Sequence, residues 1–130
     1  MTDNERVILS AVRLEKAQEN LTAAKNLISS GDLHVAVTRT YYAVFHAMRA
    51  VLALDGIDRK HHSGVIAEFR QRYIKTGLVR REQSDTISQL SDLRTDSDYD
   101  DFFDISREET EEAFRLAEAF VEEIKAFLNK

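Results

Sequence analysis

Four side chains suited to holding a phosphate and moving protons around it recur at one spacing: Arg39, Tyr42, His46 and Arg49. In a helix each residue turns about 100°, so steps of three and four place all four on one narrow stripe. A histidine titrates near neutral pH and serves as base or acid. An arginine stays charged and offers a planar fork of donors that matches phosphate oxygens. The setting makes the stripe conspicuous. Val35, Val37, Tyr41, Ala43, Val44, Phe45, Ala47, Met48, Ala50, Val51 and Leu52 take nearly every other direction around the same segment, and a helix apolar almost all round is buried on most sides. Its single polar line must then face a cleft, a partner subunit or a buried network. The residues themselves leave open whether Arg39 and His46 form a site or a hydrogen-bonded seam of the kind that satisfies buried polar groups.

The rest of the chain reads as helices that hold this segment. There are 130 residues, no proline and only four glycines, a composition free to be mostly helix. A first helix is expected from about Asn4 to Ser29. Thr2 and Glu5 stand at capping-box spacing, and Val7, Ala11, Leu14, Ala17, Leu21, Ala24 and Ile28 form its amphipathic stripe. Gly31 suits the left-handed residue that closes it, and Asp32 is placed to cap the central helix, Leu33 to Leu54. So short a loop makes the two helices antiparallel neighbours. Ser63 reads as the cap of a third helix, Gly64 to Lys75, burying Ile66, Phe69 and Tyr73. A fourth, Val79 to Leu93, would bury Ile87, Leu90 and Leu93. Asp92 to Asp104, rich in Asp and Ser, is the least regular stretch. Ser106 and Glu109 form a capping box that opens the last helix, with Ala113, Leu116, Ala117, Phe120, Val121, Ile124 and Leu128 inward. The expectation is an all-α protein: an up-and-down helical bundle of four long helices plus a shorter one, a single domain over residues 1–130.

Composition narrows the chemistry. Without cysteine there is no disulfide, thiolate metal site or thiol nucleophile. No apolar run approaches the roughly 18–20 residues of a membrane span, and Met1 to Glu5 lacks the pattern of a secretion signal, so a cytoplasmic protein is expected. The net charge of −5 argues against broad nonspecific nucleic-acid binding, yet it hides an asymmetry. Between Arg59 and Arg81 seven basic residues meet one acid, Glu68, so that segment carries +6 and the remainder −11. Such a zone suits phosphate or an acidic partner, or is simply a solvated face.

The segment Tyr41-Tyr42-Ala43-Val44-Phe45-His46-Ala47, followed by Gly56-Ile57, His62-Ser63-Gly64-Val65-Ile66, Leu93-Arg94 and Ser97-Asp98-Tyr99, resembles the HEPN family (higher eukaryotes and prokaryotes nucleotide-binding). The resemblance runs from about Leu14 to Leu128 and implies a helical bundle that commonly dimerises through its central helices. Some members are metal-independent ribonucleases, often toxins paired with a nucleotidyltransferase antitoxin, whose signature is Arg, four to six residues, then His. Arg39 and His46 fit it with six between. On that likeness His46 and Arg39 are the catalytic candidates, no cofactor is expected, and Arg49, Tyr42, Arg59 and Lys60 are candidates for phosphate or nucleotide contact. A homodimer is expected, with RNA or a nucleotide and a nucleotidyltransferase as partners. The alternative is a non-catalytic nucleotide- or partner-binding subunit of such a complex. Relatives modified by their nucleotidyltransferase carry Tyr two positions after the His, where this chain has Met48, and active ones often follow the Arg with Asn, Asp or His, where it has Thr40.

Other motifs yield to plainer readings. His61-His62 has no third ligand at fixed spacing and reads as a turn before a helix cap, with Arg59 and Lys60 near enough to help bind phosphate there. Asp96, Asp98 and Asp100 imitate a calcium loop, but Asp101 and Arg107 stand where it needs Gly and Glu.

Overall fold

In the computed structural model, which describes residues 1–130, the elements are α1 (Asp3–Ser30), α2 (Leu33–Leu54), α3 (His62–Phe69), α4 (Glu82–Tyr99) and α5 (Arg107–Leu128). There is no strand, and the protein is an all-α helical bundle. α2 is its axis and packs against all four other helices. Its neighbours run up and down around it. Asn20 meets Arg39 and Arg13 meets Arg49, so α1 is antiparallel to α2. Ser97 lies by His34 and Arg94 by Tyr41, so α4 is antiparallel to α2 as well. The core is one cluster in which Tyr41, Val44, Met48, Val51 and Leu52 of α2 meet Ala17 and Leu21, Val65 and Phe69, Ile87 and Leu90, and Phe120, Val121 and Ile124.

Both ends of α2 are fixed by turns that need glycine. Gly31 closes α1 at φ 86, with its own N–H donating to Ile28 O and that of Asp32 to Leu27 O. That paired arrangement satisfies the orphan carbonyls of the last turn and requires a left-handed residue. The same pattern recurs at Gly56 (φ 72), where Gly56 N–H donates to Ala53 O and Ile57 N–H to Leu52 O. A side chain at Gly56 would also meet the Arg6 guanidinium at 2.8 Å. The capping box at Ser106 and Glu109 is formed in both directions.

Four sequence expectations change. Asp32 occupies the cap position of α2, but its carboxylate makes no capping bond and accepts from Ser30 Oγ at 3.0 Å instead. α3 starts at His62 rather than Gly64, and after Phe69 it widens into a π turn over Arg70–Ile74, with Lys75 N–H donating to Arg70 O at 2.8 Å. The wide turn aims Tyr73 Oη at Asp55 Oδ2 (2.6 Å) and Val51 O (3.2 Å), which ties α3 to the end of α2. α4 absorbs Asp92 to Tyr99, because Ser97 is buried against α2 there and packing overrides weak helix propensity. Finally, Val7 and Ala11 stand outside the core, Val7 at 57% exposure. The buried line of α1 runs through Ser10 and Arg13 before it reaches Ala17.

Candidate functional site

Between Arg39 and Ala53 every residue of α2 is buried except four: Arg39, Tyr42, His46 and Arg49. The helical stripe thus becomes a line of half-exposed polar side chains along the most enclosed helix of the protein. It lies open on the surface, away from larger hollows such as that between Gly31–Val35 and Phe103–Ile105.

α1 supplies the first set of neighbours. Arg39 donates through Nη1 to Asn20 Oδ1 at 3.1 Å, and its guanidinium stands 5.0 Å from the centroid of the Tyr42 ring. Arg13 is buried, donating to Arg49 O at 3.3 Å and to Asp58 Oδ1 at 3.1 Å. Arg49 approaches the same Asp58 oxygen at 3.5 Å. One exposed carboxylate therefore serves two guanidinium groups, and each keeps donors to spare.

His46 sits inside this field, its ring 6.1 Å from that of Tyr42. Its Nδ1 is buried with no hydrogen-bond partner. Burial and the positive charges of Arg49, Lys16, Arg13 and Arg39 push it down to about 4. The imidazole is neutral at pH 7, so it can accept a proton and has none to give as an imidazolium, and the charges around it hold its basicity down until an anion offsets them. Because nothing fixes Nδ1, the tautomer follows whatever meets Nε2. A hydroxyl donating to Nε2 draws the remaining proton to Nδ1, and leaving that N–H unpaired costs about 1–3 kcal/mol.

A second group was not legible as such. His62, in the first turn of α3, is half-buried, whereas His61 is exposed. The His62 ring stacks on Phe45 with centroids 4.1 Å apart and planes at 17°. Its Nδ1 is 2.8 Å from Tyr41 Oη, and its edge meets Tyr42 at 5.6 Å. Burial lowers its affinity for a proton, helped by Arg94 and Arg49. Burial also pushes the Tyr41 phenol up to about 12, so it remains a neutral hydroxyl able to donate or accept. From α4, Arg94 lies 5.2 Å from the Tyr41 centroid and 5.8 Å from that of Tyr42, its Nε 3.2 Å from Asp98 Oδ2.

The structure thus gathers Arg39, Tyr42, His46 and Arg49 with Arg13, Lys16, Asn20, His62 and Arg94, five residues to which sequence reasoning gave no role at the stripe. His62 and Arg94 each carried part of the family likeness, which was the signal for them. Arg59 is drawn elsewhere. It folds over Gly64 and pairs with Glu68, while Lys60 is exposed in the turn before α3. Asp96 and Asp98 lie within α4 and form no loop.

A profile of the HEPN domain matches residues 10–127. The chain belongs to the HEPN family. Among its relatives, a UPF0332 protein of Thermotoga maritima is 33% identical over 128 residues, covering 98% of this chain and 96% of its own. Two proteins of Methanocaldococcus jannaschii are each named "Putative toxin". One is 34% identical over 115 residues, 88% of this chain and 78% of that protein. The other is 35% identical over 117 residues, 90% and 87% respectively. No helix of this HEPN protein is long and apolar enough to cross a membrane.

Proposed function

We propose that this HEPN protein is a metal-independent endoribonuclease acting as a toxin, with His46 as its acid/base group and Arg39 as its phosphate ligand. Arg49 and Tyr42 support them. RNA brings its own nucleophile, the 2′-hydroxyl, so the protein must supply proton transfer and positive charge at the phosphate. The observation that carries the reading is the exposed line on α2: an uncharged histidine among Arg13, Lys16, Arg39 and Arg49, with Asp58 the one carboxylate bonded to them. A phosphodiester laid there would offset that positive field and raise the affinity of His46 for a proton. The names of the two archaeal relatives favour the toxin role. The same reading includes a homodimer built on α2 and a nucleotidyltransferase as antitoxin, both expected from the family.

The test is cleavage of RNA in excess EDTA by the wild type, His46→Ala and Arg39→Ala. The reading expects loss of about 10²–10⁴-fold in the histidine variant. Equal activity in all three proteins removes it. A second reading, a non-catalytic subunit of a nucleotidyltransferase complex, draws on the way Arg39 and Arg49 already bond to Asn20 and Asp58 within the chain. It expects no cleavage of any RNA by the wild type, together with a stable complex with a nucleotidyltransferase.

A further inference from the structure

An acid/base reaction at a phosphodiester needs two proton carriers, one to take the proton of the attacking hydroxyl and one to give a proton to the leaving oxygen. His46 is one. We infer that His62, held by Tyr41, is the second, so that a single chain carries both the base and the acid. This inference rests on the nuclease reading of the stripe.

Three observations bring the two rings together. Both contact the same pair of aromatic rings: His46 is 5.6 Å from the Phe45 centroid and 6.1 Å from that of Tyr42, and His62 is 4.1 and 5.6 Å from the same two rings. The imidazoles can be no further apart than the two steps through Phe45 allow. In-line displacement at phosphorus, with a hydrogen bond at each end, spans roughly 10–11 Å between the two nitrogens in a straight line and less where the hydrogen bonds bend, given an attacking atom about 3–3.5 Å from phosphorus, the breaking P–O bond beyond it and hydrogen bonds of about 2.6–3.2 Å. Second, the hydrogen bond of His62 runs through Nδ1, which leaves Nε2 unengaged. Third, Tyr41 Oη can accept from Nδ1–H, so it holds the ring in place when His62 is doubly protonated. His46 has no such holder, since its Nδ1 is unpaired.

The roles follow. Neutral His46 takes the 2′-hydroxyl proton on Nε2 while the 2′-oxygen forms its bond to phosphorus. The bond from phosphorus to the 5′-oxygen breaks, and that oxygen takes the Nε2 proton of His62. The products are a 2′,3′-cyclic phosphate and a free 5′-hydroxyl. His46 ends protonated and His62 neutral, and exchange with water restores both. Tyr41 is a positioning residue. The charges facing His62 are Arg49 from α2 and Arg94 from α4, the latter beside Asp98. Those facing His46 are Arg39 and Arg49 of α2 with Arg13 and Lys16 of α1. Both rings are disfavoured as cations until an anion is bound; only His62 has an acceptor, Tyr41 Oη, for its second N–H, and that makes it the carrier of the proton.

The experiment compares two forms of one RNA oligonucleotide, the ordinary linkage at the site the wild type cleaves and the same linkage with sulfur in place of the 5′-oxygen. A thiolate leaves without a proton. His62→Gln should lose about 10²–10⁴-fold on the ordinary linkage and come within about tenfold of wild type on the sulfur linkage, whereas His46→Gln should fail on both. Tyr41→Phe keeps the ring packing and should shift the alkaline limb of the pH–rate profile to lower pH. Unchanged cleavage of both linkages by His62→Gln overturns the inference and leaves the nuclease reading standing. Equal loss on both linkages makes His62 structural and also overturns it. Restored cleavage on mixing His46→Gln with His62→Gln protein would put the pair across two copies and overturn the single-chain assignment. A wild type that cleaves neither linkage removes the nuclease reading, and this inference with it.

Discussion

Two regions of the molecule are rich in arginine, and they behave differently. From Arg59 to Arg81 the sequence counts seven basic residues against one acid. In three dimensions most of those side chains are engaged. Glu68 holds Arg59 and Arg72, Ser84 and Ser88 hold Arg70, and Glu123 arrives from α5 to accept from both the backbone and the guanidinium of Arg80. Along the α2 stripe the count is smaller, but the cations are more deeply set. Arg13 and Arg49 share Asp58, and Arg39 has the neutral amide of Asn20 and the ring of Tyr42. Charge summed along a sequence therefore does not weight the field, because Arg59 and Arg72 stand at 56% and 47% exposure, screened by water, and Arg13 and Arg49 at only 6% and 24%. What acts on a ligand at the stripe is positive charge that the fold has taken partly out of water.

The sharpest way to break this contrast is to remove one cation from each region. Arg39→Ala should lower RNA cleavage about 100-fold or more, while Arg72→Ala should leave it within about twofold; similar losses in both, read from initial rates in EDTA, would end the distinction. The next effect is electrostatic. An NMR titration should find His46 protonating near pH 4, and Arg49→Met should move that midpoint upward, because a positive neighbour is gone. Since the folded chain binds this proton less readily than the unfolded chain, stability rises with pH across the interval. The contribution of His46 is complete above about 6.5 and is lost as the pH falls from there towards about 4. Urea midpoints of the wild type should therefore drop more steeply over that range than those of His46→Gln.

Smaller effects test the paired region. Glu123→Ala unties Arg80 and Gln83 from α5 and should cost about 1 kcal/mol by urea unfolding, with cleavage unaltered. Glu68→Gln, at an exposed double ion pair, should move the melting temperature by no more than about 2 °C. A large loss there would mean that the pairing around Glu68 supports the fold.

Much of the architecture was readable beforehand, for reasons tied to particular residues. The α2 stripe was legible because its neighbours are apolar in every other direction, and Ser106 with Glu109 is a local signature that tertiary structure need not complete. α1 departs from its expected stripe at the start because Arg13, which an apolar pattern passes over, is buried against Arg49 O and Asp58, 36 and 45 residues away. Asp92 to Tyr99 was passed over because its composition disfavours helix, and only contact with α2 reverses that. His62 stood in plain view beside His61. Nothing within a few residues of it tells which of the two turns inward, since Tyr41 and Phe45 decide that from another helix.

The π turn at Arg70–Ile74 carries a consequence for insertions and deletions. It holds one residue more than an ordinary turn needs, so the chain has a spare unit there whose loss the helix itself would tolerate. Excising it would swing everything downstream by about a quarter of a revolution and pull the Tyr73 hydroxyl off Asp55 and Val51. The latch at the foot of α2 would open although no core side chain had been replaced, a lesion of phase rather than of substance.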